Sequence, residues 1–413
     1  MEEDKRIEER LLGMGIKQYK IVRTIIKGLQ YREYFGKEFI EDIYEDNLLV
    51  LLKTIRGVAR FTISACQSVY IIDTAIESCI KNTGIMSMQW HDDDFSSMII
   101  ENDENCNCFH NFNRNEYLMW IKQEMNTVSQ AVNFKLNTVC KVKLYKYSLL
   151  TNKEYLEQYN TSSEFLCIEN ETYKRKAMID NLFFNNDIAK LIIKQLNEVD
   201  IPLKKIRIEK NQRILIKAKA LSSLLNTYVC LYYADRVYSK QSYIRTNYIG
   251  KEIVKNPFDL NAIPYNGIVF DGEGSRIYEK LIIDSGKLNN LLSNNSNSEY
   301  LGLTSYGNAS LEMVDSVSHQ RLIITLKNPE KVALQSLSLT IYQFENIYID
   351  FADNEFRGIA ICGDKFDYYR TTISLNVEDV FNNIYPTGTK NTWIKNVYCQ
   401  DVIFKIKSHN LRQ

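Results

Sequence analysis

Histidine is scarce in this chain. There are four in 413 residues, at His91, His110, His319 and His409. None is followed by glutamate and no two lie within one helix's reach, which excludes a helical two-histidine metal site. An excess of positive charge is missing too. Lys+Arg and Asp+Glu both number 51, and this balance argues against a general nucleic-acid binder, which needs basic excess to meet phosphate. Long apolar runs are absent: "LLVLLKTI" and "SVYIIDTAI" are core-sized, well below the ~18 residues of a membrane helix. The opening "MEEDKRIEERLLGMG" is charged where a secretory signal would be apolar. Nine irregularly spread cysteines imply no complete disulfide framework, so reduced thiols in the cytoplasm are expected. Cys140, Cys167 and Cys230 sit in apolar surroundings and read as buried, inert thiols. No G-x-S-x-G elbow, Walker loop or dinucleotide fingerprint occurs.

What is present is a globular composition, 45% hydrophobic and 25% charged, in a chain long enough for two domains. Asp4 to Tyr34 reads as helix, with Ile7, Leu11, Ile21, Ile25 and Leu29 at helical spacing. Three short strands follow, "EFIEDIYE", "NLLVLLKT" and "GVARFTIS", with Asn47 and Gly57 at the turns. "QSVYIIDTAIESCIKN" is an amphipathic helix, and residues 86–112 read as an acidic loop. Helices are expected over 115–133, in "NDIAKLIIKQLNEV" and from Ala218 to Asp235, and strands in "CKVKLYKYSLL", "SSEFLCIEN" and "QRILIKA". Beyond Asn256 the apolar runs shorten, as in "RLIITL", "LSLTIYQF", "GIAICG" and "DVIFKIK". "NNLLSNNSNS" reads as a flexible loop. The expectation is a two-domain α+β chain: an α/β N-terminal half over 1–200 and a mainly β C-terminal half over 201–413.

The most specific stretch is "GIVFDGEGSRIYEKLIIDSGKL". Asp271 and Glu273 make a paired-acid turn that either faces a cation or peptide channel, or is a tight hairpin whose glycines supply positive φ. Tyr306, Gly307 and Asn308 form a second turn, whose backbone could hydrogen-bond an extended peptide. Cys106, Cys108 and His110 alternate, which on an extended strand would put three donors on one side. The two-residue cysteine gaps usual in structural zinc sites are absent there.

"FDGEG", then "LIIDSGKLNNLL", then "SEYLGLTSYGNAS", resembles the C-terminal domain of the TldD/PmbA family. "AKALSSLL" and "VYSKQSYIRTNYIGKEIV" upstream resemble its PmbA (TldE) branch, and "EDVFNNIYPTG" resembles its late "LLxxIxxVG" element. In order, these pieces span about residues 185–405. The resemblance implies metallopeptidase chemistry in TldD-like chains, which carry a zinc helix "HExxxH", and TldE-like chains that lack it and pair with a TldD-like subunit. At the corresponding place this chain reads "SLLNTYVCLYY", with Asn226, Thr227 and Leu231 where the first histidine, the glutamate and the second histidine would stand. The Gly-rich hairpin is shortened to "FENIYIDFADNEFRGIAICGDKFDYY", and Ser310 and Leu311 follow where the family's Gly-Asn loop carries arginine.

These readings imply a non-catalytic TldE-like subunit of a heterodimeric, cytoplasmic metallopeptidase. It would have no catalytic residue, metal or cofactor of its own, and zinc would sit in the TldD-like partner. Tyr306, Gly307, Asn308, Asp271 and Glu273 would contact an extended peptide substrate, such as a precursor peptide awaiting leader removal. No nucleic acid or membrane is expected as a partner. Two alternatives stand beside it: a homo-oligomeric peptide-binding scaffold, and a peptidase built on Cys106 and His110.

Overall fold

The computed structural model describes residues 2–65, 67–83, 88, 90–95, 104–169, 176–180, 187–198, 202–204, 212–265, 267–304, 306–311, 316–327, 337, 339–363 and 368–406. They form two compact units, Met1–Asp200 with Gly267–Val269, and Ile201–Asn266 with Phe270–Gln413. The fold is mixed α+β, with three six-stranded sheets among the described residues, and the C-terminal half is mostly strand.

The first unit runs α1 (Glu2–Gly13), β1 (Gln18–Tyr34), β2 (Lys37–Thr54), β3 (Gly57–Ser64), α2 (Val69–Lys81), α3 (Glu104–His110), α4 (Arg114–Ala131), β4 (Leu136–Thr151), β5 (Tyr155–Glu169), β6 (Lys176–Asp180) and α5 (Ile188–Glu198). Its antiparallel sheet has the order β3-β2-β1-β4-β5-β6. The helix expected over 4–34 ends at Gly13, and Gln18–Tyr34 is strand. Ile21, Ile25 and Leu29 are four apart, a spacing that puts them on one face of either element. The intervening Val22 and Ile26 are buried too, and a strand covered on both faces accommodates both sets. "EFIEDIYE" and "NLLVLLKT" are likewise one strand, in which Asn47 pairs with Thr24 instead of turning.

Period-2 alternation sends one set of side chains to the helices. Ile21, Val50 and Leu52 pack with Ile7 and Leu11 of α1 and Ile72 and Ile76 of α2. Leu29, Val142 and Phe165 pack with Ile121, Met125 and Val128 of α4 and Ile192 and Leu196 of α5. Gly28 is required where β1 meets β4, since a Cβ there would lie 2.1 Å from the Val142 carbonyl oxygen.

The second unit contains β7 (Arg213–Ile216), α6 (Ala218–Val229), α7 (Ala234–Tyr238), β8 (Phe258–Ile263), β9 (Lys280–Asp284), β10 (Lys287–Leu288), α8 (Asn295–Leu301), β11 (Arg321–Leu326), β12 (Leu339–Asp350), β13 (Glu355–Gly363), β14 (Tyr368–Asn376), α9 (Val377–Asn382), β15 (Ile384–Pro386), β16 (Thr392–Ile394), β17 (Val397–Cys399) and β18 (Val402–Lys405). Two sheets, β10-β9-β8-β11-β17-β16 and β14-β13-β12-β7-β18-β15, share one core with α6. Leu221, Leu224 and Leu225 of α6 meet Phe258, Leu322, Ile341, Phe356 and Phe381 there. The helix expected from Ala218 to Asp235 is interrupted: Cys230–Tyr232 tightens to a 3-10 turn and Tyr233 is extended before α7. The stretch expected to be a flexible loop is buried over residues 291–298 and starts α8. Asn294 caps that helix, its side-chain oxygen accepting from the Asn297 amide at 2.8 Å. No helix among the described residues is long and apolar enough to cross a membrane.

Arg23 joins β1 to α1 and β2, contacting Asp4 at 3.2 Å and Asp46 at 2.7 Å, with all three side chains largely buried. Removing the cation leaves two enclosed carboxylates facing each other. Arg23→Met is expected to lower unfolding stability by about 3–5 kcal/mol in urea titration, and Arg23→Lys to recover part of it.

Candidate functional site

Asp271 is fully buried, and backbone donors occupy its carboxylate. Oδ1 accepts from the amides of Glu273 at 3.0 Å and Ser275 at 2.9 Å, while Oδ2 accepts from Ala309 at 2.9 Å. This carboxylate therefore shapes its own turn and fastens the 306–310 loop to it. Gly272 permits the approach, because a Cβ would fall 2.0 Å from the Ser310 carbonyl oxygen, and Gly274 has φ +66°.

Glu273 is buried beside it and accepts from the Asn295 amide at 2.8 Å, a negative charge at the first turn of α8. Asn295 in turn donates to Ser275 Oγ at 2.9 Å. Asn308 donates its amide to the Ser293 carbonyl at 3.1 Å and accepts at its own carbonyl from Ser318 at 2.9 Å. Gly307 has φ +80°, and a Cβ would lie 2.3 Å from the Arg276 carbonyl oxygen. Tyr306 keeps its ring half-buried, edge-on to the exposed Tyr278 at 6.2 Å.

Lys280, absent from the sequence reading, completes the cluster. Its buried ammonium donates to the Tyr306 carbonyl and to Asn308 Oδ1. Burial lowers its pKa to about 8, against the opposing pull of Asp271. The structure thus draws together all five residues named from sequence. Asp271 and Glu273 hold loops, and Tyr306 presents partly exposed surface.

A second polar cluster lies at the end of α6. Asn226 Oδ1 accepts from Asn396 Nδ2 at 2.9 Å and lies 2.9 Å from His319 Nε2. His319 Nδ1 meets the Tyr233 hydroxyl, and the Tyr233 side chain contacts Cys230. Burial lowers the His319 pKa to about 4, so the ring is neutral at physiological pH. Thr227 Oγ1 donates to the Ser223 carbonyl at 2.9 Å, and Leu231 is fully buried in the core. These residues do not fit zinc: one imidazole is present, Asn226 is committed to two partners, and leucine has no donor atom. Among the described residues no three His, Cys, Asp or Glu side chains converge as a metal would need. His319 and Asn396, 77 residues apart, carry no local pattern that would have announced them.

Cys106, Cys108 and His110 lie on α3, a helix where an acidic loop was expected. Helical spacing puts Cys106 and His110 on one face, and both contact Tyr159, His110 Nε2 at 3.1 Å from its hydroxyl. Cys108 turns away to Tyr117. The three donors therefore do not converge, contrary to the strand geometry. Cys140 and Cys167 are fully buried, as expected, whereas Cys230 keeps some exposure.

Residues 209–407 match the family described as the PmbA/TldA metallopeptidase C-terminal domain. That part of the chain, residues 209–407, belongs to the TldD/PmbA family. Solved structures with the same fold include a proposed modulator of a DNA gyrase from Thermotoga maritima MSB8, 14% identical, covering 98% of each chain at a TM-score of 0.73. TldE from Thermococcus kodakarensis is 11% identical, covering 97% of this chain and 100% of that one at a TM-score of 0.70. A proposed modulator of DNA gyrase from Bacteroides thetaiotaomicron VPI-5482 is 12% identical, covering 98% and 97% at a TM-score of 0.68. No curated protein sequence matches.

Two outcomes follow for the loop cluster. Gly307→Ala should destabilise by about 2 kcal/mol or more, measured by thermal unfolding, because backbone blocks the new methyl and φ is positive. For Lys280, the folded pKa of about 8 lies below the ordinary 10.5, so the unfolded chain binds more protons between these values. Stability should therefore rise with pH from about 8 to 10.5, by up to about 3 kcal/mol. Lys280→Met should remove that increment from the pH profile of urea unfolding.

Proposed function

We propose that this chain is the supporting, non-catalytic subunit of a TldD/TldE-type zinc metallopeptidase. The observation that carries this is the internal commitment of Asn226, Thr227 and Leu231, which occupy the place implied for the zinc helix. A TldD-like partner would hold the metal and the general base. This chain would supply chamber wall and fix the path of an extended peptide. The family's description as metallopeptidases and the fold shared with a chain described as TldE support that reading.

Within it, Tyr306, Gly307 and Asn308 form the substrate-facing loop. The φ +80° turn at Gly307 fixes the loop from within, and the Tyr306 and Tyr278 rings offer apolar contact to a peptide passing by. Asp271, Glu273 and Lys280 are positioning residues. Asp271 holds the loop through the Ala309 amide and Lys280 through the Tyr306 carbonyl and Asn308, while Glu273 holds the start of α8 beside it. A precursor peptide awaiting leader removal is the substrate class that suits a wall built for extended chain.

The test is reconstitution with a chain that carries "HExxxH". The two proteins should co-elute, and the pair should cleave an unstructured peptide in a chelator-sensitive manner while neither does so alone. Peptide hydrolysis by this chain alone, loaded with zinc, overturns the proposal. Self-association with indifference to the partner would favour the homo-oligomeric scaffold.

A further inference from the structure

Among the described residues, the outer edge of β2 is unpaired over half its length. β1 pairs with β2 from Lys37 to Lys53, but β3 covers the other side only from Asn47 to Thr54. The Ala65 amide reaches the Asp46 carbonyl and closes the pairing there. Among the described residues, no strand lies on the outer side of Lys37–Glu45. The side chains are open as well, Phe39 at 55% and Tyr44 at 62% exposure. The edge is long and carries no proline, and charged side chains are the device that guards it.

Its sequence is ordered: Glu38, Phe39, Ile40, Glu41, Asp42, Ile43, Tyr44, Glu45. Acids and apolar residues alternate in pairs, so each face of the strand carries acid, apolar, acid, apolar. A second copy paired antiparallel about the centre would set Glu38 against Glu45 and Glu41 against Asp42. Sliding it by two residues would set acids against apolar side chains. The first opposes like charges and the second sets no carboxylate against a base, so neither gives the acids a partner. Exposed ion pairs occupy three of the acids, Glu38 with Lys122, Glu41 with Arg32 and Asp42 with Arg114. Pairs that exposed are weak and exchange readily. Lys141 and Lys143 line the same shallow groove from β4, one strand beyond β1.

We infer that the Lys37–Glu45 edge binds an extended basic peptide segment by strand addition, with bases against Glu38, Glu41, Asp42 and Glu45 and apolar residues against the intervening pairs. The eight residues Glu38–Glu45 span about 26 Å. One added strand buries well under the ~800 Å² per partner of a stable protein complex, which suits a peptide and not a permanent subunit interface. This site is separate from the Tyr306–Asn308 loop and does not depend on the function proposed for it.

The probe is a synthetic peptide reading lysine, valine, tyrosine, lysine, arginine, isoleucine, valine, lysine, titrated into the full chain by fluorescence anisotropy. Saturable binding is expected, with hydrogen exchange slowed along 38–45. The exposed double variant Glu41→Lys/Glu45→Lys, checked for an unchanged thermal midpoint, should weaken binding about tenfold or more. The glutamate counterpart of the peptide should prefer that variant. Peptides with the same charge, N-methylated at either alternate set of residues, separate strand addition from simple charge attraction, and one set should fail to bind. If both sets bind as well as the parent, or the glutamate peptide matches it on the native chain, or exchange slows only elsewhere, the inference is wrong.

Discussion

The carboxylate of Asp271 is enclosed inside the second unit, where three backbone amides point at it. Much of the surrounding loop geometry follows from this. Two of the amides come from its own turn, which bends the chain tightly enough to need Gly274 at positive φ. The third belongs to Ala309, so the 306–310 loop is held where that amide must be. Lys280 then has a nearby negative charge, without which an enclosed ammonium would be far costlier. The side chains of Glu273 and Asn295 extend the same logic to the start of α8.

The sequence made the composition of this cluster legible, but not its internal wiring. Asp271, Glu273, Gly307 and Asn308 were visible because acidic and glycine turn residues are locally unusual. Lys280 was not, although it shares a face of β9 with the buried Ile282 and that alternation was available. The mainly β character of the C-terminal half was legible from short apolar runs. β1 was not, because a four-residue spacing satisfies both periodicities, and burial of the intervening Val22 and Ile26 is a tertiary fact. α8 was hidden by its composition: asparagine and serine suggest loop, yet Asn294 does there what asparagine does well, capping a helix. α3 was hidden in the same way, in a polar stretch whose helical turn is stabilised by Phe109 packing with Leu144 and Tyr159.

The cluster at the end of α6 differs in kind from a metal centre. A catalytic zinc keeps one coordination position for water or substrate and so remains chemically open. Amide and imidazole groups bonded to one another have no such position. Asn226 spends its oxygen on Asn396 and His319, and His319 spends its other nitrogen on Tyr233. Burial keeps that imidazole neutral, which makes it a hydrogen-bonding strut and a poor proton carrier near neutral pH. The network joins α6 to the segment before β11 and to the β16–β17 turn, so it performs mechanically what a shared metal would do for the same three segments.

Polar groups therefore receive opposite treatment in two places. Around Asp271 and Asn226, side chains supply the partners that backbone or neighbouring groups lack, and the geometry is fixed from within. Along Lys37–Glu45 no described strand pairs with the outer side of a long strand, and its side chains neither shorten nor kink it. Water can satisfy such an edge, so stability alone does not require a ligand. The pairwise order of acids and apolar residues goes beyond what solubility needs, because a scattered set of charges would protect the edge equally well. A strand that gives its acids no partner in its own copy and keeps aromatic surface between its charges discriminates among incoming strands by charge and register.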